Sequence, residues 1–202
     1  MKKFAQSAIA TLLVLGYPLL VYLAISNGVS WIFPLLFGAL FIRRSLTGGK
    51  QALMFVTLAL LLFGGAIFFQ DVSAKMIPVF IHISMFTIFY GSLHTARPMI
   101  ERFARLDFPD MPPEIVVYTR NVTRLWALFF AVNIVLCTAL ALWADHEVWA
   151  LYNGAIIYLL LGLMMVCEYG WRRLRYPWLE VPSLKQSMIN IIKNGRSVWE
   201  SK

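Results

Sequence analysis

Apolar residues in this chain fall into long runs separated by short polar or basic breaks. A helix needs about 20 apolar residues to cross a bilayer. Six runs are read as spans, at about 4–26, 29–42, 51–69, 76–96, 125–144 and 148–169. The second is short, and reaches spanning length only when Val29 and Ser30 are counted. The pattern predicts an all-α polytopic membrane protein, one six-helix bundle over 1–174 with short interfacial helices.

Composition agrees. Of the 202 residues, 60% are hydrophobic and only 14% are charged, against about 45–50% and 25% in a soluble domain. That excess is too large for one buried core. The net charge of +8 would suit nucleic acid, but the basic residues form short groups between apolar runs, which a membrane explains better. Cys137 and Cys167 both lie inside apolar runs and read as small buried hydrophobes. The opening "MKKFAQSAIATLLVLGYPLL" has the basic start of a signal peptide but no convincing A-x-A site, so a retained first span is expected.

Charge fixes the expected orientation. Lys2 and Lys3 precede the first span, and Arg43, Arg44 and Lys50 follow the second. Arg97, Arg102, Arg105, Arg120 and Arg124 lie between the fourth and fifth, and Arg172, Arg173 and Arg175 follow the sixth. The remaining connections carry only Lys75. Lys and Arg mark the cytoplasmic side, so six spans with both termini inside place every basic group together. Trp31, Trp143 and Trp149 fall at outer ends, and Trp126 and Trp171 near inner ends, where indoles sit at headgroup level.

The largest loop contains "FPDMPPE", whose prolines forbid a continuous helix. Before it, "MIERFARL" spaces Met99, Ile100, Phe103 and Leu106 on one face, a short amphipathic helix whose arginines would face lipid phosphates. The tail, 175–202, holds no span. Leu184, Met188, Ile191 and Ile192 share one face, with Ser183 as N-cap, giving an interfacial or a partner-binding helix.

Ionisable groups inside spans are few. His82 lies in the fourth, with Ser84, Thr87, Gly91 and His94 on one side of the same helix. Such small and hydroxyl residues usually pack against another helix, and a polar pathway is the alternative. Glu168 can pair with Arg172 four residues on. Asn133 and Asn153 suit bonds across helices or ligand contacts. Together His82, Thr87, His94, Asn133, Asn153 and Glu168 form the candidate intramembrane polar site. Asp145, His146 and Glu147 are metal-ligand types, but three adjacent residues cannot easily converge on one ion, and no metal or cofactor is expected. "TGGK" lacks the rest of a phosphate loop, and no hydrolase or dinucleotide fingerprint is present. The glycine pair in "LLFGGAIFF" suggests close helix contact or a bend.

"GGAIFFQD", "ARPMIERF", "RLWALFFAVNIVLCTALALW" and "VWALYN" occur in an order that resembles the bacterial intracellular septation protein A family, small inner-membrane proteins. The matching positions are Gly64, Gly65, Phe68, Phe69, Arg97, Pro98, Arg102, Trp126, Phe129, Phe130, Asn133, Trp143 and Trp149. The resemblance covers roughly half the chain, and the proline-rich loop and the tail look extended beside it. It implies a role in cell division and envelope maintenance, and brings no catalytic residue.

The expected function is therefore non-enzymatic envelope biogenesis or maintenance through membrane lipids or other inner-membrane proteins, without nucleic acid. A carrier of a lipid or acyl intermediate is the alternative, and an enzyme acting on lipid headgroups the second. Arg97, Pro98, Glu101, Arg102 and Arg105 form the candidate lipid or partner surface, at which lysine should serve nearly as well as arginine. The topology predicts that single cysteines at Ser45 and Ser201 resist an impermeant thiol reagent in intact cells lacking Cys137 and Cys167, while one at Ser73 is labelled. The opposite pattern would overturn it.

Overall fold

The computed structural model describes residues 16–49, 51–178 and 189–190. Within them the chain is all-helical: 81% is helix, and no strand is present among the described residues. The helices are α1 (Gly16–Ser26), α2 (Ile32–Ser45), α3 (Ala52–Phe68), α4 (Gln70–Lys75), α5 (Ile77–Ser92), α6 (Met99–Ala104), α7 (Pro113–Trp143), α8 (His146–Leu151) and α9 (Ile157–Arg175). A π-helical turn, Tyr152–Ile156, joins α8 to α9. Lys2, Lys3, Lys50, the start of the first span and the 184–188 and 191–192 parts of the tail helix lie outside the described residues.

Three helical stretches are long and apolar enough to cross a membrane: Gln70–Ser92, Pro113–Trp143 and His146–Arg175. Only 11% of the most apolar window of the last is buried, so most of its hydrophobic surface faces outward, as lipid solvation requires. Gly16–Ser26 and Ala52–Phe68 are apolar but shorter. The 14 residues of α2 reach about 21 Å, short of a hydrocarbon core of roughly 30 Å.

Two long helices exceed their predicted bounds, α7 at its start and α9 at its end, Arg175 against an expected 169. α7 begins at Pro113, not near 125. Its first turn tolerates Pro113 because no helical N–H is needed there. Charged Arg120 and Arg124 interrupt hydrophobicity but not helix propensity. The segment 70–75, expected as a polar connection, is the helix α4.

The chain divides into two compact units. The first comprises 1–81 and 135–161. Its core gathers Tyr17, Val21, Leu62, Ala74, Ile77, Ala141 and Trp149. Trp149 was expected at the headgroups but is completely buried. Its indole donates to the Lys75 carbonyl at 3.1 Å, a bond that repays burial of the N–H. Trp31 and Trp143 are exposed, as expected of boundary residues.

Pro78 accounts for the local design. Proline has no N–H for the carbonyl four residues back, which is that of Ala74. Tyr17 Oη donates to this oxygen at 2.7 Å, while its ring makes edge contacts with Phe33, Phe37 and Trp149. Lys75 Nζ reaches the Ala144 carbonyl at the end of α7, 3.0 Å away, where a cation opposes the negative end of the helix dipole. Ser30, fully buried, donates to Asp71.

The turns follow from glycine. Gly28 has φ +69°. Val29 N bonds the Ala24 carbonyl at 2.9 Å and Gly28 N the Ile25 carbonyl at 3.1 Å, a Schellman end to α1. Gly48 and Gly49 of "TGGK" likewise take positive φ and turn the chain between α2 and α3.

The second unit comprises 82–134 and 162–202. His82, Phe89, Trp126, Phe129 and Phe130 form its aromatic centre.

Two consequences can be measured. Ser45 and Ser73 are both buried, so thiol labelling belongs at their exposed neighbours Thr47 and Gln70. The glycine pair also splits. A Cβ on Gly65 would collide with Ser73, while one on Gly64 meets nothing within 4 Å. Gly65→Ala should cost about 1–3 kcal/mol through overpacking, and Gly64→Ala should gain about 0.5–1 kcal/mol of helix propensity. Thermal unfolding in detergent checks both; equal shifts would contradict the contact.

Candidate functional site

The loop that follows α5 is built around the end of that helix. Ser92 Oγ accepts from Met99 N at 2.9 Å, and Thr95 Oγ1 donates to the carbonyls of Ser92 and Arg97. Pro98, extended at φ −60° and ψ 161°, starts α6 in a new direction. Thr123 on α7 accepts from Ile100 N at 3.3 Å, and Arg120 donates to the Leu93 carbonyl at 2.9 Å. Backbone groups left unpaired where α5 stops are thus held by side chains of the loop and of α7.

The predicted surface residues separate in this setting. Arg97 is exposed. Pro98 and Glu101 are buried, Glu101 to 2% exposure. Glu101 Oε1 lies 2.8 Å from Arg105, while its Oε2 is enclosed without a hydrogen-bond partner. Arg105 also donates to the Pro109 carbonyl at 2.9 Å. Arg102 binds the Arg97 carbonyl at 2.7 Å and Thr95 Oγ1 at 3.1 Å. These guanidiniums fold the loop, Arg102 and Arg105 each serving two acceptors, a fork that a single ammonium does not reproduce.

The intramembrane candidates are distributed. His82 is buried on α5 against the Phe130 ring, centroids 5.9 Å apart. Its Nδ1 has no hydrogen-bond partner among the described residues. Thr87 donates back to the Ile83 carbonyl at 2.8 Å. His94 is exposed, with its ring at the edge of Tyr90. Buried Asn133 donates to the Phe129 carbonyl of its own helix at 2.8 Å. In the first unit, Asn153 donates to the Trp149 carbonyl at 3.0 Å and accepts from Cys137 at 3.5 Å. Its side chain follows the π-helical turn, where backbone pairing changes register.

Glu168 forms the expected pair with Arg172 at 3.3 Å and also accepts from Tyr118 Oη at 3.1 Å. Tyr118 was missed as a partner because helix periodicity reveals neighbours along one helix, not across 50 residues. Asp145 precedes α8, and His146 and Glu147 occupy its first turn. Sequence reading missed Tyr17 and Lys75; only Pro78, four residues beyond Ala74, signalled a carbonyl in need of a donor.

No protein-family profile matches this chain, and neither a curated protein nor a solved structure matches it.

Proposed function

We propose that this chain is a six-span, N-in/C-in bacterial inner-membrane protein that acts non-enzymatically in envelope biogenesis or maintenance. It works through lipids and membrane-protein partners, as the resemblance to the septation protein A family implies. Three spanning helices support the membrane setting. One observation carries the choice among functions: the loop carboxylate Glu101 and the arginines Arg102, Arg105 and Arg120 are engaged in holding the fold. Glu101, Arg102, Arg105 and Arg120 bind protein atoms. Exposed Arg97 and Arg173, with exposed Arg124, which also donates to Asn121 at 2.7 Å, remain as contacts for anionic headgroups or acidic partners, each worth about 1 kcal/mol near an anionic surface.

A lipid or acyl carrier is the second reading, favoured by the enclosed, unpartnered Nδ1 of His82. The two readings, and the headgroup enzyme, separate in cells. A strain lacking this protein is tested for survival under detergent and osmotic stress, with each variant supplied in trans at matched membrane level. The proposal predicts that His82→Ala and His94→Ala restore survival, whereas combined Arg97→Ala, Arg124→Ala and Arg173→Ala fails where each alone loses little. Failure of His82→Ala alone would favour the carrier. Failure of His94→Ala alone would favour the headgroup enzyme.

A further inference from the structure

The inner ends of α7 and α9 frame an open groove of about 360 Å³, lined by Glu114, Val117, Arg175, Tyr176 and Trp178. Its wall is aromatic. Tyr176 makes edge contacts with Tyr118 at 5.4 Å and with Trp178 at 6.0 Å. Tyr118 is fixed through its bond to Glu168, and the Arg175 guanidinium lies over the Tyr176 ring at 5.7 Å. Glu114 and Arg175 carry opposite charges on this one groove, yet no ion pair joins them. A carboxylate and a guanidinium held apart beside aromatic faces match a ligand that is itself a dipole, with an ammonium and a phosphodiester.

The surface above the groove indicates what carries that dipole. At 100° per residue, Val117, Leu128 and Val132 lie within about 60° of one another on α7, with Leu125 beside them. All four are exposed. Leu125, Leu128 and Val132 thus form an exposed apolar patch on a membrane-spanning helix, and Asn121 and Arg124, bonded to each other at 2.7 Å, lie between it and the groove. Arg172, Arg173 and Arg175 in the last turn of α9 put the groove at headgroup depth on the side that charge assigns to the cytoplasm.

We infer that this groove is a binding site for a zwitterionic glycerophospholipid bearing a primary ammonium, of the phosphatidylethanolamine class. Arg175 takes the phosphodiester in a charge-assisted hydrogen bond. Glu114 takes the ammonium, with Trp178 offering a cation–π face. Val117 and, past the aliphatic stem of Arg124, the patch of Leu125, Leu128 and Val132 receive an acyl chain. The site gives the proposed lipid-dependent function a specific lipid, and rests on that reading only for the depth of the groove in the membrane. Unlike the exposed arginines, which attract any anionic headgroup, it discriminates in favour of a lipid with no net charge.

Native mass spectrometry of the full chain in detergent tests this, using phosphatidylethanolamine, phosphatidylcholine and phosphatidylglycerol with identical acyl chains. One phosphatidylethanolamine should be retained about tenfold more tightly than phosphatidylglycerol at a saturable site, the increment of one charged contact plus one cation–π contact, and more tightly than phosphatidylcholine, whose quaternary ammonium keeps its charge but has no N–H to donate to Glu114. Glu114→Gln should abolish the preference for phosphatidylethanolamine over phosphatidylglycerol, and Arg175→Ala should lower retention of phosphatidylethanolamine about tenfold. Asp110→Asn, outside the groove, should leave the preference unchanged. Glu114, Arg175 and Asp110 are exposed, and unchanged thermal unfolding confirms that each variant is folded. Equal retention of the three lipids, or a preference that survives Glu114→Gln, overturns the site. If phosphatidylglycerol is retained through Arg97, Arg124 and Arg173 while phosphatidylethanolamine is not, this inference falls and the broader proposal stands. Retention of neither lipid removes both.

Discussion

A carbonyl set free inside a membrane protein has no bulk water to accept from, so some other donor must be brought to it. Pro78 creates that demand at Ala74, and the first unit is arranged around the answer. Tyr17 crosses from α1 to donate to Ala74. Trp149 comes from α8 to donate to Lys75. Lys75 in turn reaches the end of α7 at Ala144. Three bonds tie four helices to one break, and Tyr17 and Trp149 pack their rings together in the same core. The hydrophobic surface of these helices is non-directional and could face lipid or protein equally. The polar bonds choose which faces turn inward.

The second unit solves the same problem at the end of α5. Ser92, Thr95 and Arg102 fold the loop on itself, while Arg120 and Thr123 reach it from α7. In "SLHTARPMIERF" Ser92, Thr95 and Arg102 are taken up by backbone closure and Glu101 by Arg105, while His94 and Arg97 stay exposed. The groups left over lie on exposed arginines and in the groove between Glu114 and Arg175. This division of labour is what the proposed function through lipid contact rests on.

Much of the helical architecture was legible because hydropathy and helix propensity are local. The run at 51–69 became Ala52–Phe68, and the pair Glu168–Arg172 formed at its i, i+4 spacing. Misjudged features depend on distant residues. Trp149 has the pattern of a boundary indole, and only the placement of Lys75, 74 residues earlier, makes it a buried donor. Glu101 could pair with Arg97 or Arg105 by spacing, and the fold selected Arg105 because Arg97 is exposed where Pro98 turns the chain. The groove was not legible at all, since Glu114 and Arg175 stand 61 positions apart and neither belongs to a motif.

The claim that Tyr17 serves the carbonyl released by Pro78 is tested most directly by a double-mutant cycle. Tyr17→Phe, Pro78→Ala and the combination are compared by reversible unfolding in one detergent. The account predicts that Tyr17→Phe costs about 1–3 kcal/mol when Pro78 is present, the usual penalty for a buried acceptor left unpaired. In the Pro78→Ala background a helical N–H serves Ala74, so the same substitution should cost well under half as much. An equal loss in both backgrounds would show that the hydroxyl does not answer to the proline.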